Sequence, residues 1–367
     1  MSARTTTSLA ALMLSLAAAS CGGSDGGTPD NQGDSSASDD TATSGDSAST
    51  TDGGGDTSAG GDTTATTDTT GIDTAGGTDT KPPSDTPATG SHIKTVFVIL
   101  MENHSWSSIT GSASATYING TLVKSGASTK QYFNPPANHP SEPNYIWLEA
   151  GDNLGITNDS DPSANHKPTT DHLVTQLEAK GVTWKTYQEG IDGKKCPLTG
   201  TGHYAPKHNP FIYFDDVTDT NSATSAHCIA HVRPYTELAA DLTAGKVAQY
   251  NFITPDLCND MHGDTGCPAD SIKTGDAWLA AEVPKILASA QYKDGGALFV
   301  TWDESSSGDG PIGMIVLSPL AKAGGYTNSI HYDHSSMVRT VEEIFGVTLL
   351  RGAKTATNLS DLFTSFP

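Results

Sequence analysis

An open, doubly wound α/β fold, with a mostly parallel central sheet and helices on both faces, is what this sequence predicts, on three observations. Apolar, strand-like segments alternate with segments of helical spacing. Three of the apolar segments are continuous enough to be buried on both faces, as strands of parallel sheets are. Each of those three runs straight into acidic residues: Thr95 to Met101 into Glu102-Asn103-His104, Val247 to Ile253 into Thr254-Pro255-Asp256, and Ala297 to Trp302 into Asp303-Glu304. Ligands of open α/β sheets bind just outside the carboxyl ends of the strands. Carboxylates gathered there repel one another and suffer raised pKa values unless a cation or a shared proton compensates. The expectation is a divalent metal site at that edge.

The remaining elements follow from spacing and punctuation. Thr170 to Lys180 has helical spacing in Leu173, Val174 and Leu177, ends at Gly181, and leads to a strand over Val182 to Tyr187. Pro234 to Thr243 reads as a helix before the second acidic strand, and Asp276 to Ala290 as a helix before the third. Gly313 to Pro319 is a further strand with a stop signal, and Ser335 to Phe345 closes the core as a helix with Met337, Val338, Val341 and Ile344 on one side.

The first part of the chain has a different character. Residues 1–20 combine Arg4, an apolar run from Leu9 to Ala19 and small residues before Cys21, the layout of a secretory signal. The run is too short to span a membrane stably. Ala18-Ala19-Ser20-Cys21 resembles a bacterial lipoprotein signal, which implies a lipidated Cys21 and membrane contact through that anchor, with plain export as the alternative. Residues 22–90 are almost wholly Gly, Ser, Thr, Ala and Asp, with Ile72 the only large aliphatic residue and Lys81 the only base. Such a stretch buries too little to offset its chain entropy and reads as an extended tether. Its acids supply much of the formal charge of −22, a sign that disfavours nucleic acid and anionic membrane as partners.

Residues 91–367 have the composition of one sizeable catalytic domain. Its four cysteines, in an exported chain, favour two disulfides, and we pair Cys258 with Cys267 and Cys196 with Cys228. A zinc site is the alternative, but no CxxC spacing supports it.

Between the first strand and a helix expected to start near Asn144 lies His139-Pro140-Ser141-Glu142-Pro143-Asn144. A serine there can be an ordinary cap. Beside a metal held by the strand-end carboxylates it becomes a nucleophile, with Asn144 as a donor to a developing oxyanion; His139 is either a proton donor to the leaving oxygen or a neutral histidine capping the same loop. No GxSxG elbow supports a lipase-like triad.

Met101 to Ser105, His139 to Tyr145, Pro255 to His262, Trp302 to Glu304 and Tyr332-Asp333-His334-Ser335, in this order, resemble the bacterial phosphoesterase family of acid phosphatases, phosphatidylinositol-3-phosphatase-like enzymes and phospholipases C, within the alkaline-phosphatase superfamily. The resemblance implies metal-assisted hydrolysis of a small-molecule or lipid phosphate ester, with Ser141 as the attacking residue and a phosphoserine intermediate. It implies one ion held by Glu102, Asn103, Ser141, Asp303 and Glu304, and a second held by Asp256, His262 and His334. Asn103 and Asn144 would also touch substrate. Oxygen-rich ligation of the first site suits calcium, magnesium or manganese, and the histidines of the second suit zinc or iron. Tyr145 stands where sulfatases of the superfamily need an arginine, which argues against sulfate esters. A phosphomonoesterase is the preferred reading, a phospholipase C-type diesterase the runner-up, and a silent surface binding protein the alternative of another class. His203, His208, His227 and His231 fall in the cysteine-bearing insertion, where they line a phosphate pocket or simply face solvent; the second is expected.

Overall fold

The structure, a computed structural model, describes residues 92–367. The expected export signal over 1–20, the lipidation candidate Cys21 and the tether over 22–90 lie outside the described residues.

The chain enters through β1 (Thr95–Met101), then forms the short strands β2 (Ala127–Thr129) and β3 (Tyr132–Phe133) before the helices α1 (Ser141–Ala150) and α2 (Leu173–Ala179). Next come β4 (Trp184–Gln188), β5 (Val232–Pro234), α3 (Leu238–Ala244), β6 (Tyr250–Thr254) and α4 (Ser271–Ala288). The last third holds β7 (Gly296–Trp302), β8 (Met314–Leu317), β9 (Tyr326–Asn328), β10 (Tyr332–Asp333) and α5 (His334–Phe345). Eight strands form one sheet in the order β5-β4-β6-β1-β7-β8-β2-β9, and β3 pairs with β10 apart from it. Neighbours from β5 to β7 are all parallel. Strand β8 runs against both of its neighbours, and β9 is parallel to β2. The reversal has a simple cause: the loop from Trp302 to Met314 is shorter than the crossover of a dozen or more residues that a parallel pair needs. The fold is therefore the mostly parallel α/β sheet expected from the sequence.

Strands β1 and β7 are buried at every position, which is why their sequences show no alternation. They pair in register from Thr95 opposite Gly296 to Met101 opposite Trp302. Both strands thus end level, and the next residues, Glu102 and Asp303, emerge side by side.

Several boundaries move from their expected places. Strand β6 starts at Tyr250, so Val247-Ala248-Gln249 lies before it. Helix α1 starts at Ser141 rather than near Asn144; Pro140 is its N-cap residue and Pro143 falls in the first turn, where a missing N–H costs no intrahelical bond. Helix α4 starts at Ser271, capped by Asp270, instead of at Asp276. Helix α5 starts at His334 behind a reciprocal Asp333–Ser336 capping box. Ahead of β8, Gly313 has φ +79°, and a Cβ there would lie 2.2 Å from the Trp106 ring, which packs edge-on against Trp302. Only glycine fits under that pair. Both expected disulfides are present, Cys196–Cys228 and Cys258–Cys267.

Helix α1 is fastened to its neighbours by a buried histidine. His172 precedes α2, with Nδ1 2.8 Å from Glu149 Oε1 and Nε2 3.0 Å from Asp216 Oδ1, and its ring stacks on Phe214 at 3.9 Å. Burial alone would lower its pKa, but hydrogen bonds to Asp216 and Glu149 outweigh that and raise it to about 9. Of the two partners, Asp216 is lowered and Glu149 is raised, because Glu149 is wholly buried and its desolvation exceeds the attraction of the imidazolium. A raised histidine stabilises the fold fully below its unfolded value of 6.5, and that contribution is lost as pH rises through 9. Urea unfolding at pH 6 and pH 9.5 should therefore show His172→Gln losing about 3 kcal/mol less stability across that interval than the unsubstituted protein. Equal losses in the two proteins would remove the imidazolium from the account.

Candidate active site

The level ends of β1 and β7 create the site. Asp303 N–H donates to the Met101 carbonyl at 3.0 Å, Asn103 N–H to Asp303 Oδ1 at 2.9 Å, and Glu102 N–H to the Asp260 carbonyl at 2.7 Å. Three carboxyl-bearing residues from three segments are thereby fixed at one buried edge: Glu102 and Asp303 are 0% exposed, and so is Asp260. Burial first, then Asp303 and Asp260, push the Glu102 carboxyl well above its usual range. Asp260 is raised well above its usual range by burial, with Asp303 adding to it, and Asp303 is itself raised by burial.

Ser141 enters this edge from the first turn of α1. Its Oγ donates to Glu102 Oε2 at 3.1 Å, and the side chain is nearly inaccessible. The other Glu102 oxygen accepts from the Tyr145 hydroxyl, one turn further along α1. Tyr145 stacks at 5.0 Å on His208, whose Nε2 lies 3.3 Å from Glu102 Oε1 and whose Nδ1 lies 3.3 Å from Asp260 Oδ2. Burial, then Lys207 and His262, hold His208 well below its ordinary pKa, so its imidazole is neutral. His262 is turned by its Nδ1–H, which donates to the Gly263 carbonyl at 2.7 Å, so Nε2 carries the lone pair, with Lys207 Nζ 3.5 Å away. Ligand atoms of Glu102, His208 and His262 all lie within 4.8 Å of one another.

The fit of a divalent ion can be tested on the polar atoms themselves. Asn103 Oδ1, Asp303 Oδ2, Asp260 Oδ2 and His208 Nε2 are buried without a hydrogen-bond partner. An orphaned buried polar group costs about 1–3 kcal/mol, more when charged. Four of them on residues at one edge, among carboxylates forced together, suit a cation that would take up the unused lone pairs and offset the repulsion. Oxygen and imidazole donors in one group match several divalent metals.

The remaining residues named from the sequence take separate places. Glu304 turns toward His139, whose Nδ1 meets Glu304 Oε2 and whose Nε2 lies 2.9 Å from Asp309 Oδ1. Burial lowers the His139 pKa, but hydrogen bonds to Asp309 and Glu304 more than reverse this, and it is raised overall. Asn144 spends its amide hydrogens on the Asn138 carbonyl at 2.8 Å, the Pro140 carbonyl at 3.2 Å and Glu304 Oε2 at 3.2 Å. It braces Glu304 and the loop and has no open donor for an oxyanion.

The grouping of Asp256, His262 and His334 is not what the structure brings together. Asp256 Oδ1 accepts from the backbone of Cys258 and Asn259, an Asx-type turn at the end of β6. His334 has both ring nitrogens engaged, Nε2 2.6 Å from the Asp303 carbonyl and Nδ1 3.1 Å from the Tyr132 hydroxyl. Buried and neutral, with its pKa lowered to about 4, it supports the backbone of Asp303. His262 joins Glu102 and His208 instead.

Residues 112–348 match the phosphoesterase family. The chain belongs to that family. This phosphoesterase is accordingly a hydrolase of phosphoric esters. It is 29% identical over 269 residues to the phosphatidylinositol-3-phosphatase of Mycobacterium tuberculosis, covering 73% of this chain and 82% of the relative. It is 26% identical to a probable acid phosphatase of Kluyveromyces lactis, where the match covers 69% of this chain and 58% of the relative. Among solved structures, a Vibrio parahaemolyticus protein of the alkaline phosphatase superfamily aligns with a TM-score of 0.46 at 10% identity, covering 74% of this chain and 72% of that one.

Sequence reasoning missed four contributors. Asp260 and Tyr145 were inside quoted motifs but had no role. His208 belongs to the insertion whose histidines are expected to face solvent, yet it is 2% exposed. Lys207 was not singled out; it hydrogen-bonds Asp159 at 3.0 Å and lies near His262 Nε2 at 3.5 Å. Adjacent Lys207-His208 was the available signal, a cation and a ligand together in an otherwise acidic chain. Tyr145 reaches the site only through its hydrogen bond to Glu102 and its stacking on His208, so Tyr145→Phe should weaken divalent-metal affinity about 10- to 100-fold, as loss of a supporting hydrogen bond commonly does. Calorimetric metal titration reads this, and unchanged affinity would show that Tyr145 leaves Glu102 in place without its hydroxyl.

Proposed function

We propose that the protein is an exported, metal-dependent phosphomonoesterase of acid phosphatase type that works through a phosphoserine on Ser141. The observation that carries the reading is Ser141 Oγ in the first turn of α1, hydrogen-bonded at 3.1 Å to the buried Glu102 carboxylate. Such a carboxylate is a competent proton acceptor for the hydroxyl. Glu102, His208 and His262, with Asp303 and Asp260 beside them, would hold the ion. When bound, a divalent cation supplies positive charge that lowers the hydroxyl's pKa and offsets charge on the transferring phosphoryl group.

In this mechanism Ser141 Oγ attacks phosphorus as its proton passes to Glu102, and the bond to the leaving alcohol breaks in line. His139, held as an imidazolium between Glu304 and Asp309, gives its proton to the leaving oxygen. Water then attacks the phosphoserine, giving a proton to the emptied His139, and the bond from phosphorus to Oγ breaks as Glu102 returns its proton to Ser141, which releases phosphate. Lys207, drawn toward the site by Asp159, Glu102 and Asp303, is placed to neutralise non-bridging oxygens. The named activities of the mycobacterial and fungal relatives support phosphate monoesters, including phosphoinositides, as substrates. Two disulfides support an oxidising compartment, and hence the export expected from residues 1–20; the lipid anchor on Cys21 rests on the resemblance to a lipoprotein signal alone.

Phosphate release from an aryl phosphomonoester, before and after chelation and metal readdition, is the first test. Ser141→Ala should lower kcat by at least about 10³-fold with the fold intact; turnover near the unsubstituted rate would overturn the phosphoserine route. Release only from a phosphodiester would move the reading to a phospholipase C. Because the His139 pKa is raised above the ordinary 6.5, the acid form persists past that value and kcat should fall on the alkaline side as the proton is lost. His139→Gln should flatten that limb and cost about 10²-fold or more with an alkyl leaving group, less with an aryl one. An unchanged pH profile in the variant would take the proton donor's role away from His139.

A further inference from the structure

Away from the strand edge, the described residues hold another cluster of ligand atoms. Glu178 stands in the last turn of α2, and His227 and His231 lie one turn apart on the short helix Ala226–His231, which carries Cys228 of a disulfide. Glu178 Oε1 lies 2.7 Å from His227 Nε2 and 3.9 Å from His231 Nε2, and the three ligand atoms all fall within 4.8 Å of one another.

The tautomers are set by the opposite ring nitrogens. His227 Nδ1 is 3.1 Å from the Asp216 carbonyl and His231 Nδ1 is 3.0 Å from the His227 carbonyl. A carbonyl only accepts, so each Nδ1 carries a proton and each neutral ring presents Nε2 as a lone pair. An Nδ1–H anchored on a carbonyl is also the support that metal-bound imidazoles commonly use. Trp184 fixes the rest: its Nε1–H donates to the same Glu178 Oε1 at 2.7 Å, and its ring stacks on His231 at 4.5 Å and meets His227 near-perpendicularly at 6.2 Å.

Three acceptors thus face one point. A single proton joins His227 to Glu178 and leaves His231 Nε2 beyond hydrogen-bond reach at 3.9 Å. A tetrahedral ion about 2.1 Å from each donor sets donors roughly 3.4 Å apart, between the two separations observed. The side chains of Glu178, His227 and His231 are 37%, 31% and 27% exposed, so an ion and a water as fourth ligand have access. Two imidazoles and a carboxylate favour zinc, nickel or copper over magnesium or calcium.

We propose that Glu178, His227 and His231 form a zinc-type metal site, distinct from the strand-edge site, that fastens the disulfide-bearing insertion to α2. It shares no residue with the groups around Ser141, so it stands whether or not the phosphoserine mechanism does.

The test uses the full-length chain, stripped of metal, given zinc chloride and freed of unbound ion before zinc is counted. His227→Ala/His231→Ala should hold one zinc fewer per chain than the unsubstituted protein, and zinc should raise its Tm by less than it raises that of the unsubstituted protein. His231→Gln, which preserves bulk and polarity, should weaken zinc binding at the cluster at least tenfold and decides the matter if the double variant does not fold. Without any variant, zinc should slow diethyl pyrocarbonate labelling of His227 and His231 at least tenfold, read by mass spectrometry. Equal zinc counts, or equal labelling rates with and without zinc, would overturn the site and leave a His227–Glu178 ion pair.

Discussion

Like charges forced together in a dry place are the constraint around which this molecule is arranged. Register brings Glu102 and Asp303 level at the ends of neighbouring buried strands, and the loop after β6 adds Asp260. In water such a trio would separate, but here the hydrogen-bonded ends of β1 and β7 do not let it. The surrounding groups make sense as responses to that crowding. Tyr145 and Ser141 donate to Glu102, the backbone of Asn103 donates to Asp303, and Lys207 approaches from the insertion. Four lone-pair-bearing atoms nevertheless remain unused. A scaffold that spends so many donors on three carboxyl groups and still leaves some unmatched is shaped for a partner with more than one positive charge.

The same crowding explains why Ser141 sits where it does. A serine in an ordinary loop would rotate freely, but Ser141 is the first residue of a helix preceded by Pro140 and carrying Pro143 in its first turn, so its backbone has few alternatives. One turn on, Tyr145 points at the same carboxylate. Two side chains at i and i+4 share one helix face, so α1 presents both donors to Glu102 as a unit. The buried Glu149–His172 contact at the far end of α1 holds that unit against α2.

How much of this could be read beforehand depended on sequence distance. The strands that carry the edge were legible because burial on both faces leaves an unbroken apolar run, and the acids at their ends needed no register to be noticed. Ser141, Glu102 and Asp303 were therefore gathered in advance, and the structure does bring them into contact. Asp256 was credited over Asp260 because a strand end is visible in sequence, whereas the tight turn that buries Asp260 and turns Asp256 back onto its own loop is not. His334 was credited with a metal because its ring could not be oriented without knowing that the Asp303 carbonyl and the Tyr132 hydroxyl bracket it. His208 was passed over because its insertion shows no periodicity. Short pairings such as β2 with β8 leave no pattern in three residues.

The Cys258–Cys267 bridge encloses Asp260 and His262, two of the groups that crowd around Glu102. A cross-link over so short a loop removes conformations that the open chain would have to give up on closing round an ion. Thiol chemistry and any metal affinity are in this way written into one stretch of chain: the oxidised form would meet an ion with these side chains already gathered, and the reduced form would have to gather them first. For an ion bound there, the sulfur bond would come first and the ion second.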